Sequence, residues 1–168
     1  MRPSKTKYYL NIAKSVSERA TCLRRRFGAI IVVNDQVVSS GYCGAPRGVV
    51  DCLERGNCYR NEHNIPSGSN YELCRSVHAE MNAIINAARA GVGIYGGDMY
   101  IYGWDMEKEK VFSGLPCLMC QKMIVNAGLH WVYYINSEDS YCNYGIFDAN
   151  HAVKKWNEVD VFRFEENK

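Results

Sequence analysis

The residues best placed to do chemistry are His78-Ala79-Glu80 and, about 36 residues further on, Pro116-Cys117-Leu118-Met119-Cys120. One imidazole and two thiols suit zinc, and three protein ligands leave a fourth tetrahedral position for water, as in a catalytic ion. Cys117 and Cys120 are three apart, so a helix beginning there puts both on one face. The positive end of that helix would favour the thiolate form that a metal needs. Pro116 forfeits no hydrogen bond in a first turn. His78 is the third ligand. Residues i and i+2 do not share a helix face, so His78 and Glu80 converge only if the metal lies beyond the helix N-terminus. Glu80 has no ligand role and is the natural proton carrier, because zinc lowers the pKa of a bound water to about 7 in favourable sites. Alone, Cys-x-x-Cys is equally a structural half-site or a redox pair, and His-x-Glu means little. Together, each opening a helix after strand-like sequence, they specify a catalytic metal centre.

Several elements must carry these residues. Residues 4–19 form an amphipathic helix, with Tyr9, Ile12, Ala13, Val16 and Ala20 at helical spacing and Pro3 at its start. Residues 27–33 are a continuous β-branched apolar run. Asn34-Asp35 is a turn signal, and residues 36–42 are the returning strand of a hairpin. Residues 43–75 have no period and are too long for an ordinary connection, which marks them as functional or held by something other than a core. Ser76 is a helix N-cap, followed by the stripe Met81, Ile84, Ile85 and Ala88 and a stop at Gly91. Residues 98–102 are a strand, 104–110 a polar excursion, and Val111-Phe112 a short partner strand. The helix from Pro116 buries Cys120, Met123, Ile124 and Ala127 and ends at Gly128. Residues 131–135 are a strand, 147–156 a helix and 159–164 a last strand. Helices alternating with strands after an opening hairpin predict an α/β fold, a mixed sheet with helices on both faces. No repeat or linker divides residues 1–168, so one domain is expected.

Composition narrows the function. Twenty basic residues against 18 acidic ones leave +2, too small an excess for a dedicated nucleic-acid binder but compatible with a phosphorylated small substrate. No run approaches the roughly 18 apolar residues of a membrane span. The basic start is followed by residues broken at Asn11 and Lys14, so no signal-peptide core forms. A cytoplasmic protein is expected. There the eight cysteines, Cys22, Cys43, Cys52, Cys58, Cys74, Cys117, Cys120 and Cys142, serve as ligands or core residues rather than disulfides.

The zinc motifs, with Val77-His78-Ala79-Glu80-Met81-Asn82-Ala83-Ile84 and Phe27-Gly28-Ala29-Ile30-Ile31-Val32, resemble the cytidine and deoxycytidylate deaminase superfamily. Gly41-Tyr42-Cys43-Gly44-Ala45-Pro46-Arg47-Gly48 is similar to the Gly-Tyr-Asn-Gly-x-Pro-x-Gly loop of its deoxycytidylate branch. The resemblance implies a three-layer α/β/α sandwich with a mixed five-stranded sheet, usually in a homo-oligomer. It implies zinc on His78, Cys117 and Cys120. Glu80 would take a proton from water, so that hydroxide attacks C4 of a cytosine nucleotide, and would then protonate N3 and the departing ammonia. The first-choice substrate is dCMP. The backbone of Ala79 and the turn at Leu115 would read the base edge, and Cys43, Gly44, Pro46 and Arg47 would bind the rest, with Arg47 meeting the phosphate.

Cys43 departs from the family, which usually has a sugar-binding Asn there. Leu118 replaces a common second Pro, and residues 103–115 are longer than the usual link. Other readings are a deaminase of dCTP, a free nucleoside or tRNA adenosine, or a non-catalytic zinc module, which would not need Glu80. The resemblance also suggests a second zinc on Cys22, Cys52, Cys58 and Cys74, with His63 as a substitute ligand. Cys22 and Cys52 fall at matching offsets from Gly28 and Gly41. Arg24-Arg25-Arg26 reads as a solvated charge run, with a phosphate contact as the alternative. Cys142 has no assigned role.

Overall fold

Ala29, Ile30, Ile31 and Val32 are all buried because their strand is covered on both faces. The computed structural model describes residues 2–136 and 144–158. The predicted strand 159–164 and Cys142 lie outside them. The elements are α1 (Lys5–Ser17), β1 (Arg25–Val33), β2 (Gln36–Tyr42), α2 (Cys52–Arg55), α3 (Tyr59–Glu62), α4 (Ala79–Ala90), β3 (Asp98–Asp105), β4 (Lys110–Val111), α5 (Leu118–Asn126), β5 (Trp131–Ile135), β6 (Tyr144–Asp148) and α6 (Ala149–Asn157). The sheet runs β2-β1-β3-β5-β6, and β4 pairs with the far end of β3, off that path. Among the described strands, only the β3–β5 pair is parallel. The predicted α/β sandwich is therefore present, with β4 added to the expected five strands. Among the described residues, no helix is long and apolar enough to cross a membrane.

Strand alternation sorts the core into two layers. Ala29, Ile31, Met99 and Ile101 face α4 and α5, meeting Ala79, Ala83 and Ile124. Ile30, Val32, Tyr100 and Tyr102 face α1, meeting Tyr9, Leu10 and Ala13. The hairpin turn places Asn34 and Asp35 both at positive φ, the left-handed pair that a two-residue connection requires.

Three local readings need correction. The cap of α4 is His78, not Ser76. Pro116 precedes α5 instead of occupying its first turn, because Cys117 is the cap. Phe147 and Asp148 belong to β6, and α6 begins only after Asp148, whose carboxylate accepts from the N–H groups of Asn150 and His151.

Two glycines set how closely the helices approach the sheet. A Cβ on Gly28 would fall on the backbone of Ala13 and Ser17 in α1. A Cβ on Gly41 would fall on the Ala83 nitrogen and the Ala79 carbonyl of α4. On that side, Asn82 Nδ2 donates to the Tyr42 carbonyl at 2.8 Å and Asn86 Nδ2 to that of Ser40 at 2.7 Å. Gly41→Ala is therefore expected to destabilise the fold by about 1–3 kcal/mol, because backbone, not a flexible side chain, must give way. It should also weaken metal retention, since α4 carries His78. Thermal melting with metal analysis checks this, and an unchanged melting temperature would contradict it.

Candidate metal centre and substrate cavity

The metal-ligating residues sit where two helices begin. His78 caps α4 and Cys117 caps α5, both in extended backbone and without a side-chain capping bond, so the two positive helix ends converge. Cys120 lies in the first turn of α5. His78 Nδ1 is 3.5 Å from Cys117 Sγ and 3.3 Å from Cys120 Sγ. The three ligand atoms lie within 4.8 Å of one another, and among the described residues no other set of three His, Cys, Asp or Glu ligands closes this tightly. The Cys120 thiol beside it holds Cys117 well below the usual thiol range, and the same contact, with burial, pushes Cys120 up. Burial alone would lower His78, but the thiolate of Cys117 beside it raises it instead. A Cys₂His set held this closely, with a thiolate already favoured, fits zinc.

Glu80 is the other polar group at this point. It is only 7 % exposed. Burial pushes its carboxyl up, although His78 and its own backbone N–H pull the other way. It lies against the Cys120 thiol and lines a cavity of about 190 Å³ that also takes in His78 and Cys117. It is thus beside the ligand set without belonging to it.

The substrate residues expected from sequence divide into two groups. Cys43, Ala79 and Leu115 line the cavity. Gly44, Pro46 and Arg47 do not. Gly44 is paired with Val77 through two backbone bonds, and Arg47 is exposed, with Nη2 donating to Asn86 Oδ1 at 2.7 Å. The thiol of Cys43 is already bonded, accepting from the Phe27 N–H at 3.2 Å and donating to the Arg25 carbonyl at 3.3 Å. It ties the loop to β1 and has little left for a sugar.

Cys22, Cys52, Cys58 and Cys74 line the same cavity, and Cys52 feels the other three electrostatically. They come together from four separate places in the chain but do not close as tightly as the triad. His63 is not among the lining residues. Its ring stacks on Tyr59, with centroids 3.9 Å apart.

Sequence reasoning missed Tyr71 and Arg60, and read Arg25 only within a solvated charge run, with a phosphate contact as the alternative. The Tyr71 ring stands edge-on to the His78 imidazole, with centroids 5.0 Å apart. Arg60 is buried, and among the described residues it has no carboxylate partner. It donates to the carbonyls of Pro66, Ser69 and Asn70 at 2.6–2.8 Å and so fixes the loop that ends at Tyr71. No sequence pattern announces such an arginine. Arg25 had a signal, because strand alternation puts it on the same face as the cavity-lining Phe27.

The fold and this centre define a three-layer α/β protein with a Cys₂His metal site opening into a cavity. The chain belongs to the family described as the cytidine and deoxycytidylate deaminase zinc-binding region, which matches residues 3–136. It is 32% identical over 136 residues to the deoxycytidylate deaminase of Schizosaccharomyces pombe, covering 81% of this chain and 38% of that one. It is 30% identical to the deoxycytidylate deaminase of Mycobacterium phage D29, covering 79% and 95%. The chain thus spans about two fifths of the yeast relative but nearly all of the phage one. The crystal structure of cyanophage S-TIM5 dCMP deaminase in complex with dCMP and dUMP superposes with a TM-score of 0.61 at 26% identity, covering 92% of this chain and 93% of that one.

Proposed function

We propose that this chain hydrolyses the amino group from a cytosine nucleotide, converting dCMP and water to dUMP and ammonia. The observation that carries the reading is Glu80, a buried carboxyl group beside a Cys₂His triad and open to the cavity. The phage relatives support dCMP as the substrate. His78, Cys117 and Cys120 would hold the zinc, which when bound supplies a Lewis acid that lowers the pKa of water. Glu80 would take one proton from the attacking water and pass it to N3, then take the second from the new C4 hydroxyl and pass it to the amino group, which leaves as ammonia as the C4 carbonyl forms. Burial keeps bulk water from its carboxyl group, so the proton stays between the reactants. Ala79 and Leu115 line the cavity beside these groups and would present backbone to the base edge.

The reading includes a second, structural zinc on Cys22, Cys52, Cys58 and Cys74, supported by their shared cavity wall. It includes a single domain over residues 1–168 and a cytoplasmic location. The seven described cysteines are all free thiols, which supports a reducing compartment. It also includes a homo-oligomer, supported by the exposed Val49, Val50 and Leu53.

An ammonia-release assay over dCMP, dCTP, deoxycytidine and cytosine tests the substrate. The expected result is a kcat/KM for dCMP at least about tenfold above those for the nucleoside and the base. A preference for free cytosine or deoxycytidine would refute the nucleotide assignment and leave the deaminase class standing.

A further inference from the structure

Among the described residues, Arg24, Arg25, Arg60 and Arg75 line the cavity, while Glu80 is the one carboxylate that does. In a chain with a formal charge of only +2, this is a local concentration of positive charge. Arg60 is committed to three loop carbonyls, and Arg75 Nη1 donates to the Val50 carbonyl at 3.0 Å. Arg25 is different because it is held by side chains that leave much of its fork open. Its guanidinium lies over the Phe112 ring, 3.7 Å from the centroid. Its Nε is 3.6 Å from Asp105 Oδ2, and its Nη1 donates to Ser67 Oγ at 3.0 Å. Asp105 is itself fixed, since Oδ1 accepts from the N–H groups of Glu107 and Lys108. A guanidinium has five N–H donors, and these contacts occupy two of them.

The surroundings point the same way. Arg60 gathers the carbonyls of the loop at residues 66–70. Among the described residues, the backbone N–H groups of Ser67 and Gly68, on the cavity wall, have no protein acceptor. Tyr71 spans the space between the two ends of the site. Its ring meets His78, and its phenol feels the charges of both Cys117 and Arg25. A nucleoside monophosphate has the same layout, with the amino-bearing carbon at one end, the phosphate at the other and a sugar between.

On the deaminase reading above, we propose that Arg25 recognises the 5′-phosphate of the nucleotide, and that the hairpin carrying Asp105 and Phe112 positions it. Phosphate is a planar fork's natural partner, and charge-assisted bonds of this kind are the strong ones. Asp105 and Phe112 both lie within residues 103–115, the excursion that carries β4, so this one hairpin supplies both side chains that hold Arg25 from that side.

Steady-state kinetics of the zinc-loaded protein with dCMP test the assignment. Arg25→Gln should raise KM roughly 50- to 100-fold while kcat changes less than about threefold. Phe112→Ala keeps the charge but removes its platform, and should raise KM about fivefold with kcat similarly preserved. A wild-type KM in Arg25→Gln, or a loss confined to kcat, overturns the proposal. Should Arg25→Gln fail to fold, Arg25→Lys keeps the charge without the fork and carries the same measurement with a smaller shift in KM. Calorimetric titration with inorganic phosphate reads the site without turnover. Wild-type protein should bind it and the Arg25 variant should not, and equal behaviour of the two overturns the proposal. A wild type inactive on dCMP that still binds phosphate through Arg25 refutes the deamination reading and leaves the anion site intact.

Discussion

Glu80→Gln is expected to lose at least about 10³-fold in kcat for dCMP while keeping its fold and its metal. General acid–base groups contribute about 10²–10⁴ each, and one carboxylate here serves both the water and the leaving ammonia. The amide has nearly the same shape, so the buried site is not emptied. Glu80 is outside the ligand triad, so metal content should be unchanged. The measurement is kcat on purified protein, paired with metal analysis and circular dichroism. Activity within tenfold of wild type, at full metal occupancy, would remove Glu80 from the mechanism.

The second large effect concerns the metals. Wild-type protein is expected to hold two zinc ions per chain. His78→Ala and Cys117→Ser should each drop the count to one and bring turnover to background, because two donors no longer hold the catalytic ion. Cys52→Ser should also drop the count to one, with the remaining ion in the triad. Its main effect should be on stability, since metal binding to a site absent from the unfolded chain is folding free energy. Atomic spectroscopy on the three variants separates the cases. One zinc per wild-type chain would remove the second site, and full zinc with full activity in His78→Ala would remove the first.

The triad was legible because its chemistry is written in short spacings and each half opens a helix. The structure makes His78 the cap of α4 and puts Glu80 in its first turn, so the two side chains start from the end of the helix and not from one of its faces. The α1 helix and the hairpin of β1 and β2 were legible for a related reason, because period and turn residues are local. Less was legible where partners come from afar. Arg47 looked suited to the phosphate until Asn86, two turns along α4 from His78, took its guanidinium. Arg25 looked like one of three solvated arginines, and only the fold brings Phe112 and Asp105 to it. The strand β6 was hidden because Phe147, Ala152, Val153 and Trp156 mimic a helical stripe. The boundary is set by Asp148, whose side chain caps two N–H groups, and that signal was present in the sequence.

The position of β4 has a consequence for how selectivity can change over time. β3 pairs with β5 through residues 98–101 and with β4 only at Trp104 and Asp105, past the end of the β3–β5 ladder, where β1 holds the other edge of β3 through Arg26 and Arg25. The hairpin can therefore lengthen, shorten or be exchanged while the register beneath α4 and α5 stays as it is. Chemistry and choice of substrate are thus housed in separable parts. The ligand helices are locked to the core through Gly41 and the buried layer and tolerate little drift. The hairpin at the rim is an interchangeable module whose loss would alter what the cavity accepts before it altered what the cavity does.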